Sequence, residues 1–150
     1  MKRFIALIAT VAFLSTASLY GAKEVKLDGV TCPVSGKAVK AEHAVAYKGA
    51  KAYFCCPNCP KAFAGDTAKF AAKANHQLVL TGQFKLAQCP LKQKPLNTAT
   101  KITVAKTAVC FCCNGCKGKV AKLEKDDQKV ALVFADATFA KSFVTTVEKK

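Results

Sequence analysis

The chain has 150 residues, and its lysine and arginine outnumber its acids by 24 to 9, for a formal net charge of +15 at pH 7. This length accommodates one ordinary domain or two small ones. A charge of this sign is common in nucleic-acid-binding proteins, but the only arginine is Arg3. Because arginine makes the bidentate contacts that recognise phosphate and guanine, the composition argues against a nucleic-acid partner. It favours a lysine-solvated surface that can adhere to anionic polymers.

The first 22 residues have the pattern of an export signal. Lys2 and Arg3 are followed by an apolar stretch, residues 4–14, and then by small residues up to Ala22. This order predicts a cleavable signal peptide over residues 1–22 and therefore a periplasmic or secreted protein. The remaining chain keeps a formal charge of +13 and contains no arginine. An anionic envelope surface is accordingly one expected partner.

Two small α+β modules are predicted after the signal, the first over residues 23–87 and the second, more divergent, over residues 88–150. In the first module, residues 44–47 and 51–54 resemble strands around a glycine-containing turn, which indicates a β-hairpin. Modules this small bury thin cores, so each is expected to need a staple such as a metal ion or disulfides.

The rest of the first module is predicted as two helices and two strands. Pro57 suits the opening of a first helix. Asp66 is a good N-cap for a second helix over residues 67–74. Residues 77–80 and 83–86 have the character of short strands around a Thr-Gly turn.

The second module is predicted to repeat this order. Residues 101–104 and 108–111 would form its hairpin, and a helix would run from about residue 113 to 123. Residues 129–134 give the clearest strand pattern of the chain. Asp136 is predicted to cap a short final helix.

Eight of the nine cysteines fall into two copies of one pattern, offset by 57 residues. Each copy reads C-P, twenty-one residues, then C-C-x-x-C. The residues of this repeat, all candidate metal ligands, are Cys32, Cys55, Cys56 and Cys59, and then Cys89, Cys112, Cys113 and Cys116. Four thiol positions kept in register twice indicate a duplicated thiol site, most simply a metal site.

Thiolates suit zinc and Cu⁺, and a cysteine on the first turn of a helix is favoured as thiolate by the helix dipole. A closed zinc site usually takes a second cysteine from the turn that carries the first. Here Ser35 and Lys92 occupy those two positions. Each module therefore offers either four thiols, using both adjacent cysteines, or three thiols with an open position. We expect Zn²⁺, with Cu⁺ as the alternative.

The same residues carry a resemblance to a known family. The spacing of Cys32, Cys55 and Cys59, repeated in the second module, is similar to the TRASH-type cysteine pattern. The run Ala52-Tyr53-Phe54-Cys55, with the later Phe63, resembles the core of the related YHS domains. This resemblance implies tandem treble-clef folds, each a hairpin and a helix around a metal, and roles in heavy-metal sensing, trafficking or resistance. The ligands it implies are Cys32, Cys55 and Cys59, and then Cys89, Cys112 and Cys116.

Two other classes remain open. Export permits disulfides, so a disulfide-stapled envelope interaction protein would pair Cys32 with one of the three cysteines that follow it, and likewise in the second copy. The C-x-x-C sequences at two predicted helix starts would suit a thiol–disulfide oxidoreductase, although the thioredoxin-type βαβ context is missing. No Ser/His/acid set, paired carboxylates or phosphate loop is visible in the sequence, so we predict a protein that is not an enzyme. Its expected partners are a metal ion and a metal-delivery protein.

Overall fold

The computed structural model describes residues 25–147, so the predicted signal peptide lies outside the described part of the chain. The described part is a mixed α/β structure with three two-stranded antiparallel sheets and five helices. In chain order the elements are β1 (Lys40–Tyr47), β2 (Ala50–Phe54), α1 (Asn58–Gly65), α2 (Thr67–Leu80), β3 (Phe84–Leu86), β4 (Asn97–Val104), β5 (Thr107–Phe111), α3 (Asn114–Ala121), α4 (Asp126–Val133), α5 (Asp136–Ser142) and β6 (Phe143–Thr145). Within residues 25–147, no helix has the length and hydrophobicity that crossing a membrane requires.

Both predicted hairpins are present. β1 pairs with β2 through a two-residue turn in which Lys48 and Gly49 have φ values of 52° and 77°. β4 pairs with β5 through Ala105 and Lys106, whose φ values of 43° and 69° lie in the same left-handed region. Positive φ at both central residues matches the right-handed twist of the flanking strands. Each hairpin thus delivers its second strand directly to a pair of adjacent cysteines.

Helix α2 is longer than predicted, and the predicted strand over residues 77–80 is wrong. The Asp66 side chain caps the start of the helix by accepting a hydrogen bond from the Lys69 N–H at 3.1 Å. The helix then continues through residues 77–80. Leu78 is buried on the same face as Ala71 and Ala74, at helical spacing, and Gln77 is buried beside it. Gly82, with a φ of 71°, ends it after Thr81 as a glycine C-cap does. The Thr-Gly pair is therefore a helix terminus.

The predicted strand over residues 129–134 is also wrong, because this segment belongs to α4. Val130, Val133 and Phe134 are buried on one face at helical spacing. Two aspartates in the first turn interact favourably with the helix dipole. A short run of apolar residues fits strand and helix equally, and here the contacts with α2 select the helix.

The final helix forms, with a different cap from the predicted one. Asp136 is its first residue, and Ala135 holds the N-cap position without a side-chain hydrogen bond. Phe143 lies beyond the helix in β6. β6 pairs with β3, so the last strand within residues 25–147 is joined to a strand that follows α2.

The two halves share part of their core. A smaller cluster in the first half surrounds Phe54 and Phe63. A larger cluster combines Leu78 of α2 with residues of the second half, including Val104, Phe111 and Phe134. Helix α2 packs against both α4 and α5. The hairpin–helix units are thus tandem in sequence and in contact in the structure.

Candidate metal centre

The first cysteine cluster consists of Cys32, Cys55 and Cys59, and is called cluster 1 below. Cys32 lies in a turn before β1, Cys55 follows β2 directly, and Cys59 lies in the first turn of α1. The three Sγ atoms all lie within 4.8 Å of one another, and those of Cys55 and Cys59 are 3.6 Å apart. A turn, a strand end and a helix start therefore converge on one point.

The second cluster, cluster 2, consists of Cys89, Cys112 and Cys116. These residues come from the corresponding turn, the end of β5 and the first turn of α3. Their Sγ atoms also lie within 4.8 Å of one another, with 3.7 Å between Cys112 and Cys116. The described residues thus contain two clusters of equal composition that could each hold a metal ion.

The turn that carries the first cysteine is the same in both copies. The Cys32 N–H donates to the Lys37 carbonyl at 2.8 Å, and the Gly36 N–H donates back to the Cys32 carbonyl at 2.9 Å. In the second copy, Cys89 donates to the Lys94 carbonyl at 2.9 Å and accepts from the Gln93 N–H at 2.8 Å.

The left-handed position of this turn is also kept. Gly36 has a φ of 72°, and Gln93, at the equivalent position, has a φ of 49°. A non-glycine residue adopts such a φ only where its surroundings enforce it. The backbone turn is therefore repeated even where the sequence within it has changed.

Each cluster has two buried thiols and one that is half-buried. Cys32 and Cys59 are 1% and 7% exposed, and Cys89 and Cys116 are 0% and 1% exposed. Cys55 and Cys112 are half-buried. The half-buried thiol leaves one side of each cluster near solvent.

Backbone donors favour a thiolate at the turn cysteines. Burial acts to raise the pKa of Cys32, but hydrogen bonds from the backbone and side chain of Ser35 and from the Cys55 backbone outweigh it and lower the pKa to about 7. The pKa of Cys89 is likewise lowered against burial, by backbone hydrogen bonds from Cys112, Leu91 and Lys92.

The helix-borne cysteines behave in the opposite way. Burial, together with hydrogen bonds to neighbouring sulfurs, raises the pKa of Cys59 and of Cys116 to about 12. At neutral pH each cluster therefore keeps the proton on its helix-borne sulfur. Metal binding requires these protons to leave, so the affinity of the clusters for metal depends on pH.

The remaining two predicted ligands flank the clusters. Cys56 Sγ lies 3.3 Å from Cys59 Sγ, and Cys113 Sγ lies 3.8 Å from Cys112 Sγ. Neither belongs to a group whose sulfurs are all mutually within 4.8 Å. The ninth cysteine, Cys110, is half-buried in β5. All nine cysteines lie in the described part of the chain and are free thiols there.

Ser35 and Lys92 occupy the positions where a closed zinc site usually has its second turn cysteine, and they differ in chemistry. Ser35 Oγ lies 3.1 Å from Cys55 Sγ, so a hydroxyl stands beside cluster 1. At the equivalent position of the second copy, Lys92 contributes its backbone N–H to Cys89. A hydroxyl or a water molecule could complete the coordination in cluster 1.

In each cluster, the separation between the strand-end sulfur and the helix-borne sulfur fits a thiolate-bound metal. Zinc–sulfur bonds of about 2.3 Å place tetrahedral thiolates about 3.8 Å from one another. The separations of 3.6 Å and 3.7 Å in the two clusters are close to this value. The donor set, three sulfurs on a turn, a strand end and a helix start, is one that soft or borderline metals prefer.

One polar residue that the sequence did not single out, Gln77, connects the turn of Cys32 to α2. The buried Gln77 accepts from the Tyr53 N–H at 2.7 Å and donates to the carbonyls of Tyr53 and Thr31 at 2.9 Å and 3.0 Å. Thr31 directly precedes Cys32. A polar residue on the apolar face of an amphipathic helix is the signal that could have identified Gln77.

His76 lies outside both clusters. Its Nε2 is 3.0 Å from Thr107 Oγ1, and its ring packs at 4.9 Å against that of Phe134. Burial lowers its pKa. It joins α2 to the second half and has no contact with a cysteine sulfur among those described.

No family model matches this chain, and neither a curated protein nor a solved structure shows significant similarity to it. The geometry of the two clusters is therefore the observation from which a function is proposed below.

Proposed function

We propose that this chain is an exported metal-binding protein that holds one thiophilic metal ion in each of its two three-cysteine clusters. The observation that carries the proposal is the convergence of six cysteine sulfurs into two groups, each within 4.8 Å. Two buried thiols and one half-buried thiol in each group supply three anionic ligands once deprotonated. We propose Zn²⁺ as the metal, with Cu⁺ as the alternative, because both ions accept thiolate ligands.

The incomplete donor set distinguishes this protein from one whose zinc is only structural. Structural zinc sites are normally closed by four protein ligands, whereas sites with three keep a position for an exchangeable ligand. An exchangeable position near solvent allows a partner's ligand to enter before the metal leaves. We therefore favour metal handling, with a metal-delivery protein as partner, over a purely structural role and over catalysis.

The same proposal includes the finer points that the residue pattern implies. Each half would be a treble-clef-like unit of the TRASH/YHS type, in which a hairpin and the start of a helix hold the metal. Residues 1–22 would direct the chain out of the cytoplasm and then be removed. The excess of lysine would bring the mature protein to anionic envelope surfaces.

Metal analysis of the purified chain tests the proposal. The protein is isolated without reductant, exchanged into metal-free buffer with and without added Zn²⁺, and measured for bound metal and free thiols. We expect about two zinc ions per chain and one fewer in Cys55→Ser. Cys110→Ser is the matched control, since it removes a half-buried cysteine outside both clusters, and it should keep both ions. A chain that binds no metal and isolates with four disulfides would overturn the proposal.

A further inference from the structure

Cys59 of cluster 1 and the flanking Cys56 form a pair of thiols whose geometry differs from that of Cys116 and Cys113 in the second copy. Cys56 and Cys59 have their Sγ atoms 3.3 Å apart. The Cys59 N–H donates to the Cys56 carbonyl at 3.2 Å, which closes a turn between the two residues. Such a turn holds the first and fourth Cα atoms within about 7 Å. Disulfides span Cα separations of about 4.4–6.8 Å, so this backbone is suited to a disulfide.

Exposure assigns different roles to the two sulfurs. Cys56 is half-buried and therefore partly open to solvent, whereas Cys59 is only 7% exposed at the start of α1. An incoming disulfide can therefore reach Cys56 Sγ but not Cys59 Sγ. The buried sulfur then lies behind the exposed one, in the position of a resolving thiol.

The equivalent pair in the second copy is arranged differently. Cys113 has an extended backbone, with φ −160° and ψ 165°, and serves as the N-cap of α3. Its carbonyl accepts from the Lys117 N–H at 3.1 Å, four residues on, so no such turn forms toward Cys116. The Cys113 sulfur contacts that of Cys112 at 3.8 Å, and it also accepts hydrogen bonds from the backbone and the thiol of Cys116.

One residue accounts for the difference. Pro57 follows Cys56 and takes the N-cap position of α1 with a φ of −68°, which shifts the helix start one residue along. Asn114 stands at the equivalent position and is already the first residue of α3. The proline thus folds Cys56 back toward Cys59.

We propose that Cys56 and Cys59 form a redox-active dithiol that takes low-molecular-weight disulfides as substrates and that, on closing, withdraws Cys59 from cluster 1. Cys56 as thiolate attacks one sulfur of the substrate disulfide, forming a mixed disulfide and releasing one thiolate. Cys59 then attacks the Cys56 sulfur, forming the internal disulfide and releasing the second thiolate. The two cysteines lose two electrons, the substrate gains them, and the protons of Cys56 and Cys59 pass to the two released thiolates or to solvent; in the zinc-loaded chain Cys59 has already lost its proton to metal binding.

Coupling to metal release rests on the proposed function, whereas the dithiol chemistry does not. A sulfur in a disulfide is no longer an anionic ligand, so closing the pair leaves cluster 1 with only Cys32 and Cys55. In cluster 2, Cys113 and Cys116 lack the backbone turn that joins Cys56 to Cys59, so we expect this cluster to keep its three thiolates. Oxidation would therefore release metal from one of the two clusters.

The test exposes the full chain, reduced and either zinc-loaded or zinc-free, to glutathione buffers of increasing oxidised fraction. Free thiols are then trapped, disulfides are mapped by mass spectrometry, and released zinc is followed with a chromogenic chelator. We expect a Cys56–Cys59 disulfide in both samples, and loss of one zinc ion of two from the loaded one. Restoring the reductant should restore zinc binding, which shows that the chain stays folded.

Two variants separate the outcomes. Cys56→Ser should release zinc at least tenfold more slowly at the same oxidant concentration, and Cys113→Ser should behave as the unaltered chain does. Release from Cys56→Ser at the unaltered rate, or mapping of the disulfide to Cys32 or Cys55, would overturn the dithiol. Closing of the pair with both ions retained would overturn the coupling alone. A zinc-free chain that closes the pair yet never binds zinc would keep the dithiol and refute the proposed function.

Discussion

Cluster 1 and cluster 2 are built on the same backbone turn and nearly the same sulfur separations, but they belong to different parts of the core. Cys32 and Cys59 pack in the smaller hydrophobic core, around Phe54 and Phe63. Cys89 and Cys116 pack in the larger hydrophobic core, with residues of α2, α4 and α5. The comparison shows that the thiols and the turn determine the local geometry of each cluster. The packing around them determines how strongly the stability of the whole fold depends on that cluster.

The largest expected effect concerns loss of a metal ligand. Apparent binding free energies of structural zinc sites are about 10–16 kcal/mol, and this energy stabilises the folded state. We expect Cys116→Ser to lower the melting temperature more than Cys59→Ser, because cluster 2 lies in the core that both halves share. Differential scanning calorimetry with saturating zinc measures both. A larger drop for Cys59→Ser would contradict this ranking, and excess chelator should abolish the difference between the variants.

The equivalent phenylalanines Phe54 and Phe111 test the same contrast without touching a ligand. Both are 0% exposed, one in each core. Each truncation to alanine should cost about 3–5 kcal/mol of unfolding free energy. We expect Phe111→Ala to lie at the upper end of this range, since its cavity opens in the larger core. Urea denaturation measures both variants, and the reverse order would show that the first half carries more of the stability.

Gln77 and Gln83 separate stability from metal affinity. Gln77 bonds to the Tyr53 backbone and to the carbonyl of Thr31, next to Cys32. Gln83 makes the same two bonds to the Lys51 backbone but none to a residue adjacent to a cluster cysteine. Replacing either glutamine with leucine should cost about 1–3 kcal/mol, since buried backbone groups lose their partners.

Only the Gln77→Leu variant should also weaken zinc binding, by about tenfold and at cluster 1 alone. Competition with a chelator of known affinity measures each variant with the other cluster occupied. An equal loss of affinity in Gln83→Leu would indicate a general effect of destabilisation.

The smallest expected effect lies at the contact between the halves. A hydrogen bond from Lys48, with Nζ 2.9 Å from Asp136, lowers the pKa of that carboxyl, and Asn75 and Tyr47 add to this. A carboxyl with a lowered folded-state pKa stabilises the protein above its unfolded pKa of about 4, and this contribution is lost as the pH falls through the folded value.

We expect the urea midpoint of the unaltered chain to fall more steeply between pH 5 and pH 3 than that of Lys48→Met. The effect should be small because both side chains are partly exposed to solvent. Parallel pH profiles for the two proteins would show that this ion pair contributes nothing to the contact.

The sequence predicted the local structure around the thiols better than the structure between the modules. The hairpins, the helix start near Cys113 and the Asp66 cap all follow from residues adjacent in sequence, and the structure has them. Pro57 was predicted to open a helix and is its N-cap, one residue before α1 begins. Residues 77–80 and 129–134 were predicted as strands and are helical. Their short apolar runs fit both structures, and the choice is made by contacts between α2 and α4, which no local pattern contains.

In the candidate site too, the sequence predicted what depends on local spacing and missed what depends on backbone geometry. The repeat predicted all six residues of the two clusters, because its spacing is local to each hairpin and helix. It did not separate Cys56 from Cys113, since both occupy the same position in the pattern. Their difference comes from where each helix begins, which depends on Pro57 in one copy and Asn114 in the other.

X-ray absorption at the zinc edge, on the chain loaded with two zinc ions, tests the central claim most directly. It counts the sulfur atoms around each metal and measures their distances. We expect an average of three sulfurs at about 2.3 Å and one oxygen or nitrogen per zinc. Four sulfurs per zinc would place Cys56 and Cys113 in closed sites, and the absence of zinc–sulfur bonds would refute the two clusters as metal sites.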